Sequence, residues 1–310
     1  SQADVVLSGG AEVTYTTDGG STDLTGNPLG SSFNIGITGT GELDNGWTFT
    51  AATDFAGQNT AADSAYIKFD MGDLGTIGID QGAGYAGIGT LGNEVPTAYE
   101  EAGHGVSGSG HSLDGQGDTN ALTYKSPTVM GFTLDVEYHP TINATAKQEA
   151  GAMSAAGNST GYNYAITYAP EAISGLTLAY GHSITDDQSA ASANDDTEHT
   201  MAINYVVGSI SVGYQQSESQ TGGANENGNN VEEFGIALAV NENLSVSYNS
   251  MENEDDDPSG TNMTEDSTGL SAAYTMGSAS FRLAMNDADN VNGVSGTTDE
   301  NMELSLSLSF

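Results

Sequence analysis

Apolar residues recur at every second position through much of this chain. In Asn301 to Phe310 the residues Met302, Leu304, Leu306, Leu308 and Phe310 share one parity, and Glu303, Ser305, Ser307 and Ser309 share the other. Successive side chains of a β-strand point to opposite faces, so this spacing makes one apolar face and one polar face. The same alternation sets Phe33, Ile35 and Ile37 against Asn34 and Thr38, and Ala65, Ile67, Phe69 and Met71 against Ser64, Tyr66, Lys68 and Asp70. It recurs with Trp47, Phe49, Ala51 and Phe55, with Phe132, Leu134, Val136 and Tyr138, with Phe234, Ile236, Leu238 and Val240, and with Phe281, Leu283 and Met285 around Arg282. The pattern predicts sixteen strands, near 5–16, 31–43, 47–56, 63–71, 75–81, 119–126, 130–139, 161–169, 175–184, 197–206, 209–217, 231–240, 243–250, 267–275, 279–286 and 299–310, with ends placed to about two to four residues.

The connections alternate as well. Tight turns such as Asp44-Asn45-Gly46, Gly72-Asp73-Leu74, Asn241-Glu242 and Gly277-Ser278 take turns with long stretches rich in Gly, Asn, Ser and Asp. Short hairpins at one end and long loops at the other are the mark of a membrane barrel with an even strand count, its short turns periplasmic and its long loops extracellular. A soluble sandwich would also alternate, burying its apolar faces between two sheets. Two observations disfavour it: Glu12, Asp54, Asp70, Asp80, Asp135, Glu137 and Glu233 stand at strand centres on the second face, and Tyr and Phe recur near strand ends, as an aromatic girdle would.

Composition narrows the reading. The chain has 310 residues and no Cys, which removes disulfide scaffolds, thiolate metal sites and Cys nucleophiles. No apolar run reaches the length of about 18 residues that a helical span needs, and Ser1 to Asp4 show no basic or apolar leader, so any signal peptide is expected to have been removed. Four basic residues against 42 acidic ones give a formal charge of -38. Phosphate backbones are bound by neutralisation with Lys and Arg, so nucleic acid is not an expected partner. Such acidity suits a saline medium, because the Debye length shrinks from about 10 Å at 0.1 M salt to about 3 Å at 1 M.

Several short motifs then carry a resemblance. They are Ala3-Asp4-Val5-Val6-Leu7-Ser8-Gly9, the strand-turn-strand from Tyr66 to Thr76, and Leu122-Thr123-Tyr124-Lys125-Ser126-Pro127 leading to Gly131-Phe132, with the alternating terminus closed by Phe310. Across its whole length the chain resembles the general porins of Gram-negative bacteria, especially the alphaproteobacterial type. The resemblance implies a single outer-membrane domain over residues 1–310, an antiparallel transmembrane barrel passing small hydrophilic solutes and ions by passive diffusion. It implies a homotrimer in contact with membrane lipid and lipopolysaccharide, and a terminal Phe310 read as an assembly signal. It further implies that the third long loop, Gly82 to Asp118, folds inward to form the constriction. A structureless connection of this length, 37 residues, is uncommon in compact domains and usually functional.

On that loop the candidate acidic lining is Glu94, Glu100, Glu101, Asp114 and Asp118, with His104 and His111 beside it, and Glu12, Asp54 and Asp70 are candidates on the wall. The family sets such acids against a cluster of arginines. This chain departs from that pattern, since parity turns only Lys68, Lys125 and Arg282 inward and leaves Lys147 in a loop. Lys68 and Arg282 are expected to pair with lumen carboxylates. The surplus of acids predicts cation selectivity. Acidic loops at Asp255, Asp256, Asp257, Asp287 and Asp289, and at Asp195-Asp196, offer oxygen ligands suited to calcium, although none completes an EF-hand pattern.

Other signals carry less. Gly82 to Gly87 matches the dinucleotide fingerprint GxGxxG, but no helix or parallel-sheet unit follows, and glycine-rich chains produce such matches by chance. The five histidines form no HExxH pattern, so spacing gives no zinc site at His104 or His111. No nucleophile and base set is evident, and no enzymatic activity is expected. Two other readings are a substrate-selective outer-membrane channel and, in a different class, a secreted or surface-layer β protein.

Overall fold

The computed structural model describes residues 4–21, 25–57, 64–106, 113, 115–117, 120–142, 159–187, 195–222, 228–255 and 263–310. Alternation produces sixteen strands. They are β1 (Asp4–Gly20), β2 (Leu29–Glu42), β3 (Thr48–Ala56), β4 (Ser64–Asp70), β5 (Thr76–Gln81), β6 (Asn120–Lys125), β7 (Phe132–Ile142) and β8 (Ser159–Tyr168), followed by β9 (Leu176–Asp187), β10 (Asp196–Val207), β11 (Ile210–Gln220), β12 (Gly228–Ala239), β13 (Leu244–Asp255), β14 (Glu265–Met276), β15 (Ala279–Asp289) and β16 (Thr298–Ser309).

Each strand pairs antiparallel with its sequence neighbours, and β1 pairs with β16 to close the cylinder. Closure is in register, Val13 opposite Leu306 and Tyr15 opposite Leu304, and the backbones of Gly9 and Phe310 exchange hydrogen bonds of 2.7 and 2.9 Å. A closed sheet leaves no unpaired edge in hydrocarbon, where an unsatisfied peptide group costs several kcal/mol.

The two parities part as the pattern requires. Phe33, Ile35, Ile67, Phe132, Tyr162, Tyr274, Phe281 and Leu304 are exposed on the outer face, whereas Asp80, Asp135, Asn163, Gln215, Glu233, Asn249 and Ser305 are buried on the inner one. The rings of Phe132 and Tyr168 stack at 4.1 Å near the short-turn end of the wall. Turn chemistry fixes the hairpins there. In Gly208-Ser209 and Gly277-Ser278 only the glycine has positive φ, +60° and +61°, which is the two-residue turn whose twist matches the flanking strands.

The strands run farther toward the long-loop end than alternation alone indicates. β13 continues to Asp255, β15 to Asp289, and Asp196 belongs to β10, so Asp255, Asp287, Asp289 and Asp196 are strand residues and not loop residues. Asp287 and Asp289 are exposed on the outer parity of β15; Asp256 and Asp257 lie outside the described residues. Ladder hydrogen bonds persist above the apolar band, but there the outward parity carries exposed acids and the apolar alternation that marks a strand in sequence disappears. Glu232, Glu252, Asp266 and Asp289 even stand opposite one another across β12 to β15.

Candidate functional site

After β5 the chain runs along the polar parity of the wall. At its start the Asp80 carboxylate accepts the Ala83 N–H at 2.7 Å and the Tyr85 N–H at 3.3 Å. Farther on, Asp135 accepts the Gly87 N–H and Asn163 the Ile88 N–H, at 3.1 and 2.8 Å. A 3-10 turn over Ile88–Leu91 then buries its two apolar side chains, Leu91 against Ala165, Ala179 and Ala202.

From there wall amides and hydroxyls satisfy the segment's backbone. Gln215 donates to the Leu91 carbonyl and accepts from the Glu94 N–H, both at 2.7 Å, while Asn204 and Asn249 donate to the carbonyls of Glu94 and Pro96 at 2.6 and 3.0 Å. Ser247 and Ser271 accept the N–H groups of Ala98 and Tyr99 at 2.9 and 3.1 Å. On the return, Gly115 donates to Glu198 at 2.9 Å and Gln116 to Ser183 at 2.8 Å. Buried peptide groups need such partners, and an irregular segment cannot supply them itself.

Close approach depends on small residues. Asn204, Gly213, Gly235, Asn249, Gly269, Asn286 and Asn301 oppose one another successively across β10 to β16. A Cβ at Gly235 would lie 2.8 Å from the Pro96 carbonyl oxygen, and one at Gly269 would lie 3.0 Å from the Ala102 Cα. This row of Asn and Gly is therefore a seat, and sequence reasoning missed it. Its only mark in the sequence was the recurrence of those two residue types on the wet parity at strand centres.

The candidate residues separate in space. Arg282 pairs with Glu12, donates to Ser305 at 2.9 Å, and lies 4.2 Å from the centre of the Tyr99 ring. The Tyr99 hydroxyl donates to Glu303 at 2.5 Å and is 3.3 Å from Glu12. Lys125 pairs with Asp135 at 3.2 Å. Lys68 takes no carboxylate partner of that kind among the described residues; it lies over the rings of Tyr66 and Tyr85, at 4.9 and 5.2 Å. Asp54 accepts from the Ser64 hydroxyl, and Asp70, exposed at the end of β4, accepts the Gly72 N–H at 2.8 Å and holds the turn. Glu94, Glu100 and Glu101 are half-buried, and Asp114, Asp118 and His111 lie outside the described residues.

His104 stands between two carboxylates, its Nδ1 3.3 Å from Glu100 and its Nε2 3.6 Å from Glu303. Burial holds the Glu94 carboxyl above the usual carboxylate range. Glu100 is raised by burial too, with His104 pulling against it. Burial pushes the Tyr85 hydroxyl up to about 12, and burial together with the bond to Glu303 raises that of Tyr99.

A family model described as Gram-negative porin matches residues 1–306. No curated protein matches the chain. Among solved structures, an anion-selective porin from Comamonas acidovorans is similar at 13% identity and a TM-score of 0.70, covering all of both chains. OmpF from Salmonella typhi, in complex with daunomycin, is similar at 12% identity and a TM-score of 0.72, covering 99% of this chain and 97% of that one. The trimer form of OmpT from Vibrio cholerae is similar at 12% identity and a TM-score of 0.70, again covering both chains fully. Identities this low speak for the fold alone.

Proposed function

Because this chain belongs to the Gram-negative porin family, an outer-membrane family of β-barrel channels, we propose that it is a trimeric diffusion channel, one domain per chain, that prefers cations. In this reading the segment from Gly82 onward folds into the lumen and forms the constriction, with small hydrophilic solutes and ions passing beside it. Supporting this is the set of wall residues that hold it. They come from β7 to β14 and all belong to the polar parity, which a segment outside the cylinder could not reach.

One observation carries the charge preference. Of the three inward cations, Arg282 and Lys125 are already matched by Glu12 and Asp135, while Glu94, Glu100, Glu101, Glu137, Glu233 and Glu303 add negative charge to the same interior. Two unit charges about 8 Å apart interact by roughly 0.5 kcal/mol at a dielectric of 80 and about 2 kcal/mol at 20, so a few surplus carboxylates favour cations several-fold. In planar bilayers under a KCl gradient the reversal potential should indicate preference for potassium, weakening as salt is raised. A preference for chloride would overturn the assignment. Conductance that shows no saturable block by sugars separates a general channel from a substrate-selective one.

Strand lengths support a trimer. A transmembrane β-strand needs about 9–11 residues, yet β5, both ends of which lie among the described residues, has 6. That side of the wall is too short to meet lipid alone, and a neighbouring copy covers it. The remaining wall meets membrane lipid and lipopolysaccharide.

A further inference from the structure

We propose that Glu100, His104 and Glu303 form a binding site for a borderline divalent transition metal, zinc being the representative ion, which clips the segment after β5 to strand β16. Spacing in the sequence gave no such site, because Glu303 lies 199 positions beyond His104 in the chain. Barrel closure brings them together. One ligand atom from each of the three residues lies within 4.8 Å of the others.

The chemistry of the donors selects the ion. Calcium and magnesium take oxygen ligands, whereas an imidazole nitrogen with two carboxylates suits zinc, nickel or copper. Bonds of about 2.0–2.2 Å in a tetrahedral zinc site put neighbouring ligand atoms about 3.4 Å apart, close to the 3.3 and 3.6 Å from His104 to Glu100 and Glu303. Those two approaches use opposite nitrogens of one ring. An ion takes one nitrogen, so binding turns the imidazole slightly and draws the second carboxylate round, which the half-buried setting of all three residues allows.

Glu303 is oriented in advance. Its Oε1 accepts the Tyr99 hydroxyl while Oε2 faces His104, the kind of outer support that fixes a ligating carboxylate. The nearest fixed cation, Arg282, has its charge matched by Glu12. Two other histidines on the described wall face a carboxylate, His139 at 3.4 Å from Glu137 and His199 at 3.1 Å from Glu218, and neither has a third such ligand within reach among the described residues.

Metal binding requires only that the segment lie against β16; its effect on current rests on the constriction reading above. Zinc titration of detergent-solubilised protein by calorimetry should show one site per chain that calcium and magnesium do not occupy. His104→Gln and Glu303→Gln should each weaken it at least about tenfold, and His199→Gln should leave it unchanged. Heat-modifiable migration on gels reports that each variant is folded, and Glu100→Gln is a third test should one of them fail. Zinc should lower single-channel conductance reversibly to a chelator in the wild type and not in His104→Gln. No zinc binding, or equal binding in His104→Gln, overturns the site. Binding of the stated stoichiometry without any change in conductance upholds the site and overturns the constriction.

Discussion

Single side chains here do two jobs, holding an irregular segment and setting the charge beside it. Gln215, fully buried, donates to the Leu91 carbonyl and accepts the Glu94 N–H through one amide, so a single side chain serves two peptide groups of the segment. Glu94 lies between Gln215 and Asn204, and its carboxyl, raised by burial, takes up a proton before solvent-exposed acids do as pH falls. Protonation removes negative charge, so cation preference should decline on acidification from neutral pH. Glu94→Gln should lower the preference at neutral pH and remove the earliest part of the decline, as read from reversal potentials across a pH series. A profile identical in wild type and variant would show that Glu94 does not face the ions. His104 illustrates the same scale from the other side: its neighbour Glu100 was visible four residues away, whereas Glu303 was not.

Among elements, the Asn and Gly row across β10 to β16 decides how closely the segment can lie against the wall. A β-carbon costs little on an open strand, but at Gly235 it would press on the Pro96 carbonyl and the Val95 side chain. Gly235→Val should therefore displace the segment away from the wall and, on the proposed constriction, reduce single-channel conductance, with the barrel itself still folded by its heat-modifiable migration. An unchanged conductance would mean that the segment does not border the conducting path. The strands themselves were legible because hydrocarbon outside and water inside impose a strict period of two. Their upper ends were not, since Asp287 and Asp289 extend β15 where no apolar partner is needed and only the ladder with β14 and β16 defines the strand.

At the scale of the whole molecule, the wall is uneven. Strands of 9 to 17 described residues make up most of the cylinder, and β5 has 6, fewer than a lipid-facing strand usually has. Light scattering of the detergent-solubilised protein, after subtraction of bound detergent, should give about three times the chain mass of 31.6 kDa. A monomer mass would overturn the proposed trimer. The apolar ends of β1 and β2, with Val5, Leu7, Phe33 and Ile35 strongly exposed, adjoin this side through β3.

By itself the sequence determined the sixteen strands, their antiparallel order, the polar parity of the interior and the excess of acid, because each follows from neighbours along the chain. Period two needs only two residues to be visible, and a tight hairpin needs only its glycine. Tertiary structure alone decided which wall groups hold the segment after β5, that Asp70 serves a turn while Arg282 and Glu12 flank Tyr99, and that Glu303 meets His104. Those pairings join strands far apart in the chain, and closing the sheet into a cylinder fixes them through strand stagger and register, quantities to which no local pattern of residues corresponds.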